Sequence, residues 1–285
     1  MSVASLAALA STPTRAALAG ASWTFAVRLF VSPALIGLAI AVARRWGPEA
    51  GGWFAALPHT SGPVVLVLAL EHGPTFAARA CVGIVLAIAA LAAYVLVYSR
   101  ASRRLGWPGS AALACAAYLA ALWPLGRVRG SLFVAFALAC AAVIGTRLLL
   151  GHDRERRPPT RPPAWDVPLR MGLAAALVWG LTRLSVVVGP RVSGFLAPFP
   201  VVTTILATFA HRHDGPAAAR RFLRGLLSGL VSFAVFFLTA GLLLPSSGIA
   251  PAFLAATFAT LAVHAAAWRL AGRPPAAAPL LLESD

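Results

Sequence analysis

The chain has 285 residues, 60% of them hydrophobic and 11% charged, and a mean hydropathy of +0.83, whereas soluble domains use roughly 45–50% apolar residues. A water-soluble core has no room for that much apolar surface, so lipid is the expected solvent for most of the chain. The net charge of +16 is carried by arginine, which stands between apolar stretches rather than in one patch. That is the positive-inside pattern of a membrane protein and not the basic face of a nucleic-acid binder, so no nucleic-acid partner is expected.

Residues 1–21 are rich in Ala and Ser, but Arg15 follows the apolar run instead of preceding it, so they read as an N-terminal segment and not as a cleaved signal peptide. Residues 22–125 form a first unit of four apolar spans: Ser22 to Ala43, Trp53 to Leu70, Thr75 to Tyr98 and Ser110 to Leu125. Residues 126–150 hold a linking span, Ser131 to Leu150, and residues 151–167 an Arg/Pro-rich cytoplasmic linker too polar for lipid. A second unit, residues 168–270, again has four spans: Pro168 to Val188, Phe195 to Ala210, Ala217 to Leu244 and Ala250 to Leu270. Residues 271–285 are a C-terminal tail. Cys81, Cys115 and Cys140 fall inside spans with no metal-type spacing and read as small core residues.

The two units are one unit repeated. Shifting the sequence by 142 positions lays Gly47-Pro48 on Gly189-Pro190, Gly52 on Gly194, Ala55 on Ala197 and Pro58 on Pro200. Without a gap, Gly73-Pro74 then falls on Gly215-Pro216, Ala77 on Ala219, Arg79 on Arg221 and Gly83 on Gly225. Most of these identities are Gly, Pro and Arg, residues with special backbone or charge roles, which chance similarity between two greasy segments does not explain.

Arginine placement sets the topology. If every span crosses, one side of the membrane receives 17 arginines and the other 6, with Arg28 inside a span; if the second span of each unit dips and returns, the bias nearly vanishes. The expected fold is therefore all-α, with nine transmembrane helices arranged as two inverted four-helix repeats joined by one linking helix. The N-terminus lies outside and the C-terminus in the cytoplasm. Five crossings separate the two unit starts, an odd number, so the units have opposite orientations, as in many secondary transporters. Lysine-free, Ala-, Arg- and Pro-rich usage resembles that of a high-GC bacterial genome, and the expected location is the inner membrane.

Both second spans are broken by proline: Pro58-His59-Thr60-Ser61 in unit one, and Pro198, Pro200, Thr203 and Thr204 in unit two. A proline inside a helix frees backbone groups, which in lipid is tolerable only where protein or a water-filled cavity covers the break. Matching broken spans in two halves mark a midplane solute site, lined here by Pro58, His59, Thr60, Ser61, Pro200, Thr203 and Thr204. The competing reading is that these are packing kinks bridged by hydroxyls. Arg79 and Arg221, one turn into the third spans, either flank the path of an anionic solute or snorkel to head groups. His211-Arg212-His213-Asp214 could hold a metal, but the Gly-Pro that follows makes it a helix stop, with capping and interfacial anchoring as its expected roles. No metal or other cofactor is expected.

Glycines four apart at Gly225 and Gly229 permit close helix packing, and His264 stands alone in the last span. All eight acidic residues fall in loops, in the tail or at span ends, so no buried carboxylate is available as a proton or sodium relay. No catalytic motif is found and no catalytic residue is assigned. The functional expectation is a secondary transporter or channel for an unidentified small solute. The alternatives are a non-transporting membrane scaffold or assembly protein and, behind it, a membrane-embedded enzyme; self-association as a homo-oligomer is compatible with each.

Overall fold

The computed structural model describes residues 37–58, 61–128, 130–151 and 200–270, with a few positions between 168 and 176. Among them every regular element is helical: α1 (Pro48–Ala55), α2 (Ser61–His72), α3 (Pro74–Ala101), α4 (Trp107–Leu125), α5 (Leu132–Leu150), α6 (Val201–Asp214), α7 (Pro216–Ser247) and α8 (Ile249–Leu270). Helical residues 37–46 precede α1. Five of these helices, α3, α4, α5, α7 and α8, are long and apolar enough to cross a bilayer, and the chain is a multi-pass helical membrane protein. Most of the expected spans Pro168 to Val188 and Ser22 to Ala43, the N-terminal segment, the 151–167 linker beyond Gly151 and the C-terminal tail lie outside the described residues.

Gly-Pro pairs set the helix starts. Gly47, Gly73 and Gly215 sit at φ 91°, 89° and 84°, with ψ values of 166°, 161° and 174°. That region is open in practice to glycine alone. The proline that follows has its φ preset for a helix and lacks a donor the first turn cannot use. The chain therefore reverses sharply between α2 and α3, and again between α6 and α7. Pro216 and Ile249 start helices 142 positions beyond Pro74 and Trp107, which also start helices.

The two long helices are central. Half or more of the apolar window of α3 and of α7 is buried, 50% and 56%, against 22% in α4, α5 and α8. These two pack on each other; α4, α5 and α2 lie against α3, while α8, α1, α6 and also α5 lie against α7. Between the halves, α4 touches α6 and α8 touches α2. Small residues permit the closest approach, that of α1 on α7. A Cβ at Gly52 would overlap the Phe222 carbonyl, one at Gly225 would overlap the Glu49 carbonyl, and one at Gly229 would stand 2.5 Å from the Ala56 Cβ. Gly225 and Gly229 are thus the floor on which α1 rests backbone to backbone.

The second spans differ in shape from single crossing helices. In unit one, α1 ends at Ala55, residues 56–58 are turn and bend, and α2 resumes at Ser61. The 12 residues of α2 reach about 18 Å at 1.5 Å per residue, short of a hydrocarbon core of about 30 Å. In unit two the helix begins directly after Pro200, and the 14 residues of α6 reach about 21 Å.

Candidate functional site

The first break is built by a backbone turn and closed by side chains from the other half. After α1 the amides of Ala56 and Leu57 turn back to the carbonyls of Trp53 and Phe54, at 3.2 and 3.1 Å. The Pro58 carbonyl then accepts the Gly62 amide at 2.8 Å, so Pro58 serves the first turn of α2 while Ser61 stands half-buried at its start. Trp53 stacks on His264 of α8, with ring centroids 3.5 Å apart. The Ser232 hydroxyl of α7 lies 2.6 Å from His264 Nδ1 and also 2.6 Å from the Gly229 carbonyl. A serine has one proton to give: when it goes to Gly229, Nδ1 must carry the imidazole proton and Nε2 presents a bare lone pair. His264 is 4% exposed, and its Nε2 is buried with no hydrogen-bond partner.

The second break opens onto a seam of hydroxyl groups. Pro200 is buried at the N-cap of α6 and accepts the Thr204 amide at 2.9 Å. Thr204, Thr208 and His211 follow at i, i+4 and i+7, one face of α6. That face meets Tyr94 and Tyr98, four apart on α3: Tyr94 lies beside Thr204 and Tyr98 beside Thr208, with Cys115 of α4 next to Thr204. Tyr98 Oη stands 3.4 Å from His211 Nδ1. The hydroxyls of Tyr94, Thr204 and Thr208 are each shut away from solvent and none is held in a hydrogen bond of ordinary length and angle, the Tyr94–Thr204 and Tyr98–Thr208 approaches coming nearest to one. His211 lies just past Ala210, the last residue of the expected span; burial, and then the Arg220 guanidinium, lower its pKa.

Of the residues expected at the site, Thr204 enters this seam and Thr203 is buried nearby on α6. Pro58 and Ser61 stand at the other break, whose lining comes from α7 and α8. His59 and Thr60 lie outside the described residues. Arg79 is exposed on α3, as snorkelling requires, and Arg221 is half-buried on α7; neither belongs to the seam. His72 and His213 stack on Phe76 and Phe209 at the helix ends, whereas His211 turns inward instead of anchoring at the interface. Among the described residues no three His, Cys, Asp or Glu side chains gather as a metal site would need.

Sequence reasoning missed Tyr94, Tyr98, Thr208 and Ser232. A signal was present: the chain has only 3 tyrosines, two of them four apart inside a span, where the interfacial preference of tyrosine makes them out of place. Among the described residues, recesses lie elsewhere. One is a groove of ≈ 240 Å³ between α5, α7 and α8; another is a crevice at Ser99, Leu150 and Arg220 with no room for a water molecule. Comparison of the chain with protein-family models, with curated proteins and with solved structures finds no match.

Proposed function

We propose that this chain is a transporter or channel for a small, hydrogen-bonding solute in a bacterial inner membrane, built from two inverted repeats. The observation that carries it is the buried seam of hydroxyls on Tyr94, Thr204 and Thr208, none held in a hydrogen bond of ordinary geometry. An apolar bundle bears about 1–3 kcal/mol for each buried group left unpaired. A polar guest between Tyr94 and Thr204 would relieve that cost.

Repetition supports the architecture. Helix starts recur at the same offset, and the reciprocal contacts of α4 with α6 and of α8 with α2 are what a twofold axis between the units produces. At residue level, Tyr94 beside Thr204 has its counterpart in Phe236, whose ring lies 3.4 Å from where a Gly62 Cβ would be. Polar chemistry thus fills one half of a matched pair and apolar contact the other. A packed seam that neither recess enters favours the second reading, a scaffold that moves nothing.

Osmotic swelling of proteoliposomes in water, glycerol, urea and small amides separates the two. Transport predicts permeation above that of empty vesicles for at least one of these, falling several-fold with Thr204→Val at an unchanged folded fraction. Permeation equal to that of empty vesicles for every solute removes the transport reading.

A further inference from the structure

The ≈ 240 Å³ groove is walled by Val143 of α5, Leu227 and Val231 of α7, and Ala267 of α8, with Arg147 and Ser228 at one end. Arg147 is exposed, and its Nη1 donates to the Ser228 hydroxyl. Ser228 in turn donates to the Arg224 carbonyl at 3.1 Å, and Arg224 Nη1 donates to the Gly151 carbonyl at 2.6 Å. A guanidinium has five N–H donors, and the partner of Arg147 among the described residues is a neutral hydroxyl rather than a carboxylate.

Register gives the groove a direction. On α5, Arg147 stands one turn before the helix end at Leu150, and Val143 one turn further in. On α7, Arg220, Arg221 and Arg224 come first, then Ser228, then Val231. Toward the middle of the span the order on α7 is guanidinium, hydroxyl, then apolar wall, and on α5 it is guanidinium, then apolar wall. That is the order of a phospholipid, head group outermost and acyl chain inward.

The geometry points to a binding site for one anionic phospholipid, its phosphate on Arg147 and one acyl chain along Val143 and Val231. Arginine suits this because its planar fork pairs bidentately with phosphate oxygens. The site stands apart from the hydroxyl seam and does not depend on what the protein transports.

Native mass spectrometry of the detergent-purified full chain, given phosphatidylglycerol or phosphatidylcholine of equal chain length, tests it. The expected result is about tenfold more bound phosphatidylglycerol than phosphatidylcholine, the scale of one charge-assisted contact. Arg147→Gln should bring the two to parity and Arg147→Lys should restore part of the preference. Val231→Phe, which fills the groove, should reduce retention of both lipids. Circular dichroism on each variant confirms that it is folded. Equal retention of the two lipids by the unmodified chain overturns the proposal, as does a preference that survives Arg147→Gln. Thermal stabilisation by inorganic phosphate alone, at the level phosphatidylglycerol gives, would overturn it too, since it would show an anion site that needs no chain.

Discussion

At the scale of single residues, polar groups in an apolar bundle carry more information than their number suggests. Tyr94 and Thr204 face each other in a buried seam with hydroxyls that lack a hydrogen bond of ordinary geometry, a state that a bound guest would relieve. Replacing both by apolar groups of the same shape removes the penalty. Tyr94→Phe combined with Thr204→Val should therefore hold or raise the midpoint of thermal unfolding in detergent while lowering solute flux. A drop of several degrees would mean that the hydroxyls serve the fold. Thr204 was legible in the sequence because it follows a proline break. Tyr94 carried a weaker signal, as a tyrosine inside a span, and Thr208 carried none, since nothing in a linear chain says that this face of α6 meets Tyr94 and Tyr98. His264 was visible as an isolated ionisable group, but its stacking on Trp53 depends on α1 resting on Gly225 and Gly229.

At the scale of elements, the proline breaks decide what the second spans can do. Pro58 ends the turn after α1 and gives its carbonyl to α2, and Pro200 caps α6. Pro58→Ala and Pro200→Ala each return a backbone donor and favour a continuous helix. If the breaks hold the solute path open, both substitutions should reduce flux normalised to folded protein while the folded fraction stays level or rises. Unchanged normalised flux in both variants, with lower stability, would leave the prolines as packing kinks. The helix boundaries themselves were largely readable: the Gly-Pro pairs place the starts of α3 and α7 one residue from the expected positions, because positive φ at glycine and fixed φ at proline act locally. The division of Trp53 to Leu70 into α1 and α2 was readable only as a proline, not as a gap, since the bend depends on what covers it.

At the scale of the whole molecule, composition and arginine spacing were enough to give a helical multi-pass membrane protein, because lipid imposes both length and apolarity on each crossing. The proposed opposite orientation of the halves rests on a longer chain of reasoning: the 142-residue offset, the five crossings expected between the unit starts and the arginine bias. Positions matched by that offset test it most directly. Arg104 lies in the turn after α3, and its repeat counterpart Ser246 lies near the end of α7; both are exposed. In a chain with Cys81, Cys115 and Cys140 replaced, Arg104→Cys and Ser246→Cys can be probed with a membrane-impermeant maleimide in intact cells and in inverted vesicles. The inverted repeat predicts that Ser246→Cys labels only from outside and Arg104→Cys only from the cytoplasmic face, whereas labelling of both from the same face would contradict it.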